Sequence, residues 1–178
     1  TNWFSNAFFS NMTNDRKIAE RTRSQVKTAA ILQGAMQEFL QNGYAATSMD
    51  KVAKSAGVSK ATIYSHFGDK ESLFNAVMQN LVKDKFQTVM SLKNSRSLEQ
   101  NPQAVLTAMA TKMLTNAQND RTFMDFMRIV IGESGRFPEL AKAYVRNVAK
   151  PTIEVLTKYF KSHPALKLED PEATVRVM

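Results

Sequence analysis

The chain has 178 residues, a formal net charge of +8, no cysteine and two histidines, His66 and His163. It therefore has no disulfide and no thiolate chemistry, its isolated histidines form no His-rich metal cluster, and no apolar run approaches the ~20 residues of a membrane-spanning helix. The length allows a real core, as one domain or as a small unit fused to a larger one, and the basic charge favours a polyanionic partner.

The first residues, TNWFSNAFFSN (1–11), are aromatic, rich in Asn and Ser, and uncharged, unlike the rest of the chain. They read as a cloning remnant, an upstream in-frame extension or an arm, and no DNA role is assigned to them. They lack the charged lead and continuous apolar core of a signal peptide, so the cytoplasm is the expected compartment. Arg16, Lys17, Arg21, Arg23 and Lys27 form a basic lead-in, suited to phosphates or a minor groove, or simply to solvent.

From Arg23 to Asn42 the apolar residues Val26, Ala30, Ile31, Ala35, Phe39 and Leu40 recur at three- and four-residue steps, which predicts a helix. Asn42-Gly43 ends it, because glycine adopts the left-handed conformation without a Cβ penalty, and Tyr44 is turned back toward the core. The next stretch, TSMDKVAKSAGVSKATIYSHFGDK (47–70), predicts two short helices crossing at a tight turn. Thr47 or Ser48 caps Met49–Ala56, Ala53 is small enough for a close crossing, Gly57 makes the turn and Ser59 opens the second helix. The outer side of that helix shows Lys60, Thr62, Tyr64, Ser65 and His66, donors and flat rings suited to phosphate oxygens and base edges. Ile31, Phe39, Val52, Val58, Ile63 and Phe67 are the expected core of a three-helix unit too small to dominate the stability of the protein.

Asp69 caps a fourth helix reaching about Leu92, with Leu73, Val77, Leu81 and Phe74, Met78, Val82 on adjoining stripes. It bridges two domains, either as a lever coupling a ligand to the reader or as a rigid connector. A polar loop at Lys93–Gln100 precedes Asn101-Pro102, a cap and first helical position. The following helix presents Val105, Leu106, Met109, Met113 and Leu114, and another from Asp120 presents Phe123, Phe126, Met127, Val130 and Ile131. Met109, Met113, Phe123, Phe126, Met127 and Tyr144 are candidate pocket residues, since methionine and phenylalanine adapt to apolar ligands; ordinary core has the same spacing. Glu133 and Arg136 in GESGR read as a loop ion pair. Pro138 begins a helix with Leu140, Tyr144 and Val148 facing inward, and Pro151 removes one amide bond and kinks or interrupts it. Asp170-Pro171-Glu172 starts a last helix that stops after about two turns at Met178, so the dimerisation helix is expected to be incomplete in this chain.

Residues Gly43 to Phe74, GYAATSMDKVAKSAGVSKATIYSHFGDKESLF, resemble the N-terminal signature of the tetracycline-repressor (TetR) family along its whole length. Phe126 to Phe160 resembles the C-terminal domain of AefR-like members. The resemblance implies an all-α protein: a three-helix helix-turn-helix DNA-binding domain at 23–70, after an arm at 1–22, and a larger helical effector-binding and dimerisation domain at 71–178. It implies a homodimeric transcription regulator, usually a repressor, on a palindromic double-stranded operator, and the apolar cavity candidates suggest a small lipophilic or aromatic effector that releases it. No cofactor and no metal are expected. By position, Lys60, Ala61 and Tyr64 match residues that face base edges in relatives, while Thr47, Ser59, Thr62, Ser65, His66 and Lys70 match phosphate-contacting ones. In relatives the last two helices pair with those of a second subunit, which implies a role here for the segment from about Thr152. An enzyme is the first rival class, but the chain has no Gly-rich phosphate loop, nucleophile elbow or acid/base pair in a recognisable setting. The second rival is a helical module of the same fold that binds another acidic partner.

Overall fold

The computed structural model describes residues 3–90, 101–163, 166 and 168–177, with side chains from Ile18 onward except those of 84–90, 113, 116 and 117. The expected loop at 93–100 and the side chain of Met113 lie outside the described residues.

Helix α1 spans Trp3–Ala46, broken at Gly43, whose φ of 75° and ψ of 174° are not helical. It starts well before the expected Arg23, and Val26, expected inward, is 64 % exposed: periodicity is satisfied only from Ile31 on, where other helices cover the face. Helix α2 (Met49–Ala56) is capped by Ser48, whose side chain accepts the Lys51 amide, and is closed by Gly57 in the left-handed region. Helix α3 (Lys60–Phe67) is capped by Ser59, which accepts the Thr62 amide. Gly34 makes the crossing of α1 and α2 tight: a Cβ there would lie 2.8 Å from the Ala56 backbone nitrogen.

Helix α4 spans Lys70–Met90, and Asp69 caps it by accepting the Ser72 amide at 2.7 Å, a bond that holds the Asp69 carboxyl below its ordinary range. Helices α5 (Pro102–Asn119) and α6 (Arg121–Glu133) follow, capped by Asn101 and Asp120. Helix α7 (Pro138–Tyr144) passes through a π turn at Val145–Ala149 into α8 (Lys150–Lys161). Pro151 has no amide hydrogen to donate, and the wider turn before it, in which the Lys150 amide reaches the Val145 carbonyl, lets the helix continue rather than stop. Helix α9 (Pro171–Val177) starts on the Asp170 carboxylate, which accepts the Glu172 and Ala173 amides.

Two apolar cores hold these helices. The larger joins α1–α4 to α6 and α7: Ile31, Phe39, Val52, Ile63, Leu73, Phe74, Phe126 and Leu140 are essentially inaccessible, and Val58 and Phe67 are half-buried against them. Phe126 stacks on Phe74 at 4.8 Å and meets Phe39 edge-on at 6.5 Å. The smaller core packs Val155, Leu156, Tyr159, Phe160 and Val175 with Val105, Leu106 and Met109. All secondary structure among the described residues is helical, and none of these helices is long and apolar enough to cross a membrane.

Candidate nucleic-acid interface

The outward face of α3 presents Lys60, Ala61, Tyr64 and Ser65, all exposed, with Ser59 beside them at the helix start and Thr62 half-buried. Local chemistry orients this face. The Ser59 and Thr62 hydroxyls lie 2.8 Å apart, and Ser65 Oγ donates to the Thr62 carbonyl at 2.8 Å. Lys60 pairs with Asp50 of α2 at 2.8 Å, a hydrogen bond that raises its pKa, and its ammonium lies 6.0 Å from the Tyr64 ring. Both partners are exposed, so water and salt screen the pair and the lysine is free to exchange Asp50 for a nucleic-acid acceptor.

Three residues expected at phosphates occupy different surroundings. Thr47 is 2 % exposed, and its hydroxyl lies within bonding distance of the Gly43 carbonyl at 2.7 Å and the Glu38 carbonyl at 3.1 Å, so the side chain holds the α1–α2 linker together from inside. Lys70 Nζ donates to the Tyr44 and Thr47 carbonyls at 2.9 and 3.1 Å and sits 4.3 Å from the Tyr44 ring. Burial lowers its pKa, against the pull of Glu133 and Glu139. It is a tie between α4 and the linker rather than a free surface cation. His66 Nδ1 lies 3.1 Å from Thr28 Oγ1, and Thr28 also donates to the Ser24 carbonyl at 3.0 Å. Thr28 can give its proton to that carbonyl or to Nδ1, and in the second case Nε2 carries the ring hydrogen of a neutral imidazole.

Sequence reasoning missed Glu133. Instead of pairing with Arg136, its two carboxylate oxygens each accept a backbone amide, those of Tyr44 and Ala45, both at 2.8 Å. No pattern near Glu133 announces a partner 88 and 89 residues away whose contribution is backbone. Arg136 instead lies 5.3 Å from the Phe137 ring.

The described candidate pocket residues lie in different surroundings. Phe126 is wholly inside the larger core, which leaves it no face for a ligand; Phe123 and Met127 are half-buried against that core, Met109 packs on the smaller one, and Tyr144 is 37 % exposed. Apolar spacing had marked their inward faces without saying what those faces meet. A groove of about 570 Å³ lies elsewhere, between α1 and α4, lined by Gln25, Thr28, Leu32, Met36, Val77 and Asn80 among others. Among the described residues there is no cluster of His, Cys, Asp or Glu able to hold a metal.

Residues 31–77 match the profile of the bacterial regulatory proteins of the tetR family, and residues 104–176 match that of the AefR-like transcriptional repressor C-terminal domain. The chain is 31 % identical over 156 residues to an HTH-type transcriptional regulator, YhgD of Bacillus subtilis (strain 168), covering 83 % of this chain and 76 % of that protein. This chain belongs to the TetR family. A solved TetR-family regulator from Mesorhizobium loti MAFF303099 superposes with a TM-score of 0.70 at 26 % identity, covering 86 % of this chain and 77 % of that one. The flavonoid-responsive regulator FrrA superposes at 0.65 with 32 % identity, covering 84 % and 76 %. TetR-family proteins are transcriptional regulators rather than enzymes, and they bind DNA operators as dimers. The matched residues 31–77 contain the α2–α3 pair, and the protein is a DNA-binding regulator.

Proposed function

We propose that this regulator represses transcription as a cytoplasmic homodimer that reads a palindromic operator through α3, and that a small lipophilic or aromatic molecule releases it. The observation that carries the reading is the α3 face: Lys60, Ala61 and Tyr64 stand exposed together on a short helix fixed at its start by Ser59 and at its base by Ile63. Lys60 and Tyr64 offer a cation and a phenol to base edges, and the Ala61 methyl suits a thymine methyl. Ser59, Thr62 and Ser65 flank them with hydroxyls for phosphates, joined by a ring nitrogen of His66. Thr47 and Lys70 shape the linker behind the helix. The cytoplasmic assignment comes from the need to reach chromosomal DNA.

Two observations support an aromatic or lipophilic effector: the flavonoid response of FrrA, and the Met and Phe content of α5 and α6, where Met109, Phe123 and Met127 remain candidate contacts. The segment from Thr152 onward is the proposed contribution to a four-helix dimer interface.

Selection of duplexes from a random library by the purified protein, followed by mobility shifts on the enriched sequence, tests the reading. The expected product is a two-fold palindrome whose half-sites lie about one helical turn, or a small multiple, apart. Tyr64→Ala is expected to weaken binding to the enriched duplex by about 1–3 kcal/mol while leaving random-sequence duplex unaffected. No enrichment, together with equal binding to any polyanion, would favour the module that binds another acidic partner.

A further inference from the structure

Gly43 breaks α1, and the two amides after it, on Tyr44 and Ala45, lose the carbonyls that a continuous helix would have offered them. Their replacement comes from the last residue of α6. Each Glu133 oxygen takes one amide at 2.8 Å, so a single carboxylate caps the restarted turn from another part of the fold. The fit requires glycine: a Cβ at residue 43 would lie 2.6 Å from Glu133 Oε1.

The opposite edge of the same short linker is also held. Lys70 bonds the Tyr44 and Thr47 carbonyls, and the Tyr44 ring packs 5.1 Å from Phe137 in the α6–α7 loop. Glu139, in the first turn of α7, is a carboxylate whose charge helps to raise the pKa of the Tyr44 phenol. Glu133 and Phe137 therefore bracket the α6–α7 loop and both engage one residue, Tyr44. Ser48, the cap from which α2 starts, lies one residue beyond the Thr47 carbonyl. A shift of α6 would pull on the linker and tilt α2, and α3 with it.

We propose that Glu133 is a positioning residue for DNA binding: it transmits the placement of the C-terminal helices to the reader through the Tyr44 and Ala45 amides. The inference rests on the DNA-binding reading and names the contact by which an effector bound among the C-terminal helices would change operator affinity. Glu133→Gln keeps the shape but turns an NH2 donor toward one of two amide donors, and Glu133→Asp keeps the charge but withdraws it by a methylene. Operator affinity measured on the duplex that the wild-type protein enriches, affinity for a random duplex, and amide hydrogen exchange together form the test. Both variants are expected to lose about tenfold or more in operator affinity, to hold random-duplex affinity within about twofold, and to exchange the Tyr44 and Ala45 amides faster.

Faster exchange with unchanged operator affinity would reduce Glu133 to a local cap and overturn the proposal. So would a loss in Glu133→Gln that Glu133→Asp does not share, since charge alone would then be the cause. Equal losses on both duplexes, with exchange rising throughout α1–α4, would mark simple destabilisation and overturn it too. If the wild-type protein enriches no duplex, the DNA-binding reading itself fails and takes the proposal with it; the exchange data would still show whether the contact exists, which separates the two failures.

Discussion

Tyr44 concentrates more of the structure's logic than any other single residue. Its amide, carbonyl and ring each engage a different partner: Glu133, Lys70 and the Phe39–Phe74–Phe137 cluster. Burial first, and then the nearby Glu139 carboxylate, raise the phenol pKa well above its ordinary value near 10.0. The sign of the consequence comes from proton counting. Above the ordinary value the unfolded chain has released this proton while the folded protein keeps it, so stability falls as pH rises. Urea unfolding across pH 9 to 11 should therefore show a steep loss that Tyr44→Phe flattens, leaving a smaller slope from the buried Tyr159, whose pKa is also raised by desolvation. Equal slopes in the two proteins would mean that the phenol is solvated. At this scale the sequence was readable where a residue acts on its neighbours, as Ser48, Gly57, Ser59 and Asp69 do. It misled where a side chain turns inward: Thr47 and Lys70 look like surface donors, yet their partners are linker carbonyls that only the folded chain assembles.

Among the elements, the crossing of α1 and α2 is the least forgiving. At this crossing Gly34 lies against Ala56, and a Cβ on residue 34 would come within 2.8 Å of the Ala56 backbone nitrogen. The atom in the way of a Cβ is backbone, so a methyl cannot be accommodated by a rotamer change. Gly34→Ala should destabilise the protein by about 1–3 kcal/mol through overpacking, despite the better helix propensity of alanine. A shift of the urea midpoint to higher concentration would show that the helices separate freely. The α7–α8 element depends on its neighbours in a similar way. Pro151 does announce an irregularity in the sequence, but whether it ends, kinks or widens the helix depends on what lies alongside. Here the π turn presents Asn147, whose Nδ2 donates to Asn75 Oδ1 on α4 at 2.7 Å and to its own Ala143 carbonyl at 2.8 Å. The turn is thus pinned to the connector helix as well as relieved of the missing amide.

On the scale of the whole molecule, the larger core does not respect the division into reader and C-terminal helices: Phe126 and Leu140 complete the same apolar cluster as Ile31, Phe39 and Ile63. Phe126→Ala should consequently cost about 3–5 kcal/mol and loosen both parts together, with one unfolding transition by circular dichroism and hydrogen-exchange protection falling in α2 and α3 as well as α6. Two separate transitions, the first confined to α6, would refute the shared core. The sequence by itself determined that the chain is helical, that a glycine turn joins two short helices near its N-terminus, and where most helices begin. Those properties depend on caps, turn residues and apolar periodicity, all expressed within a few residues of one another. Only the tertiary structure decided which apolar faces meet, which donors point inward, and that the Glu133 carboxylate grips the linker ahead of the reader. Such contacts join residues distant in the chain and involve backbone groups that every residue type shares, so they leave no local signature to read.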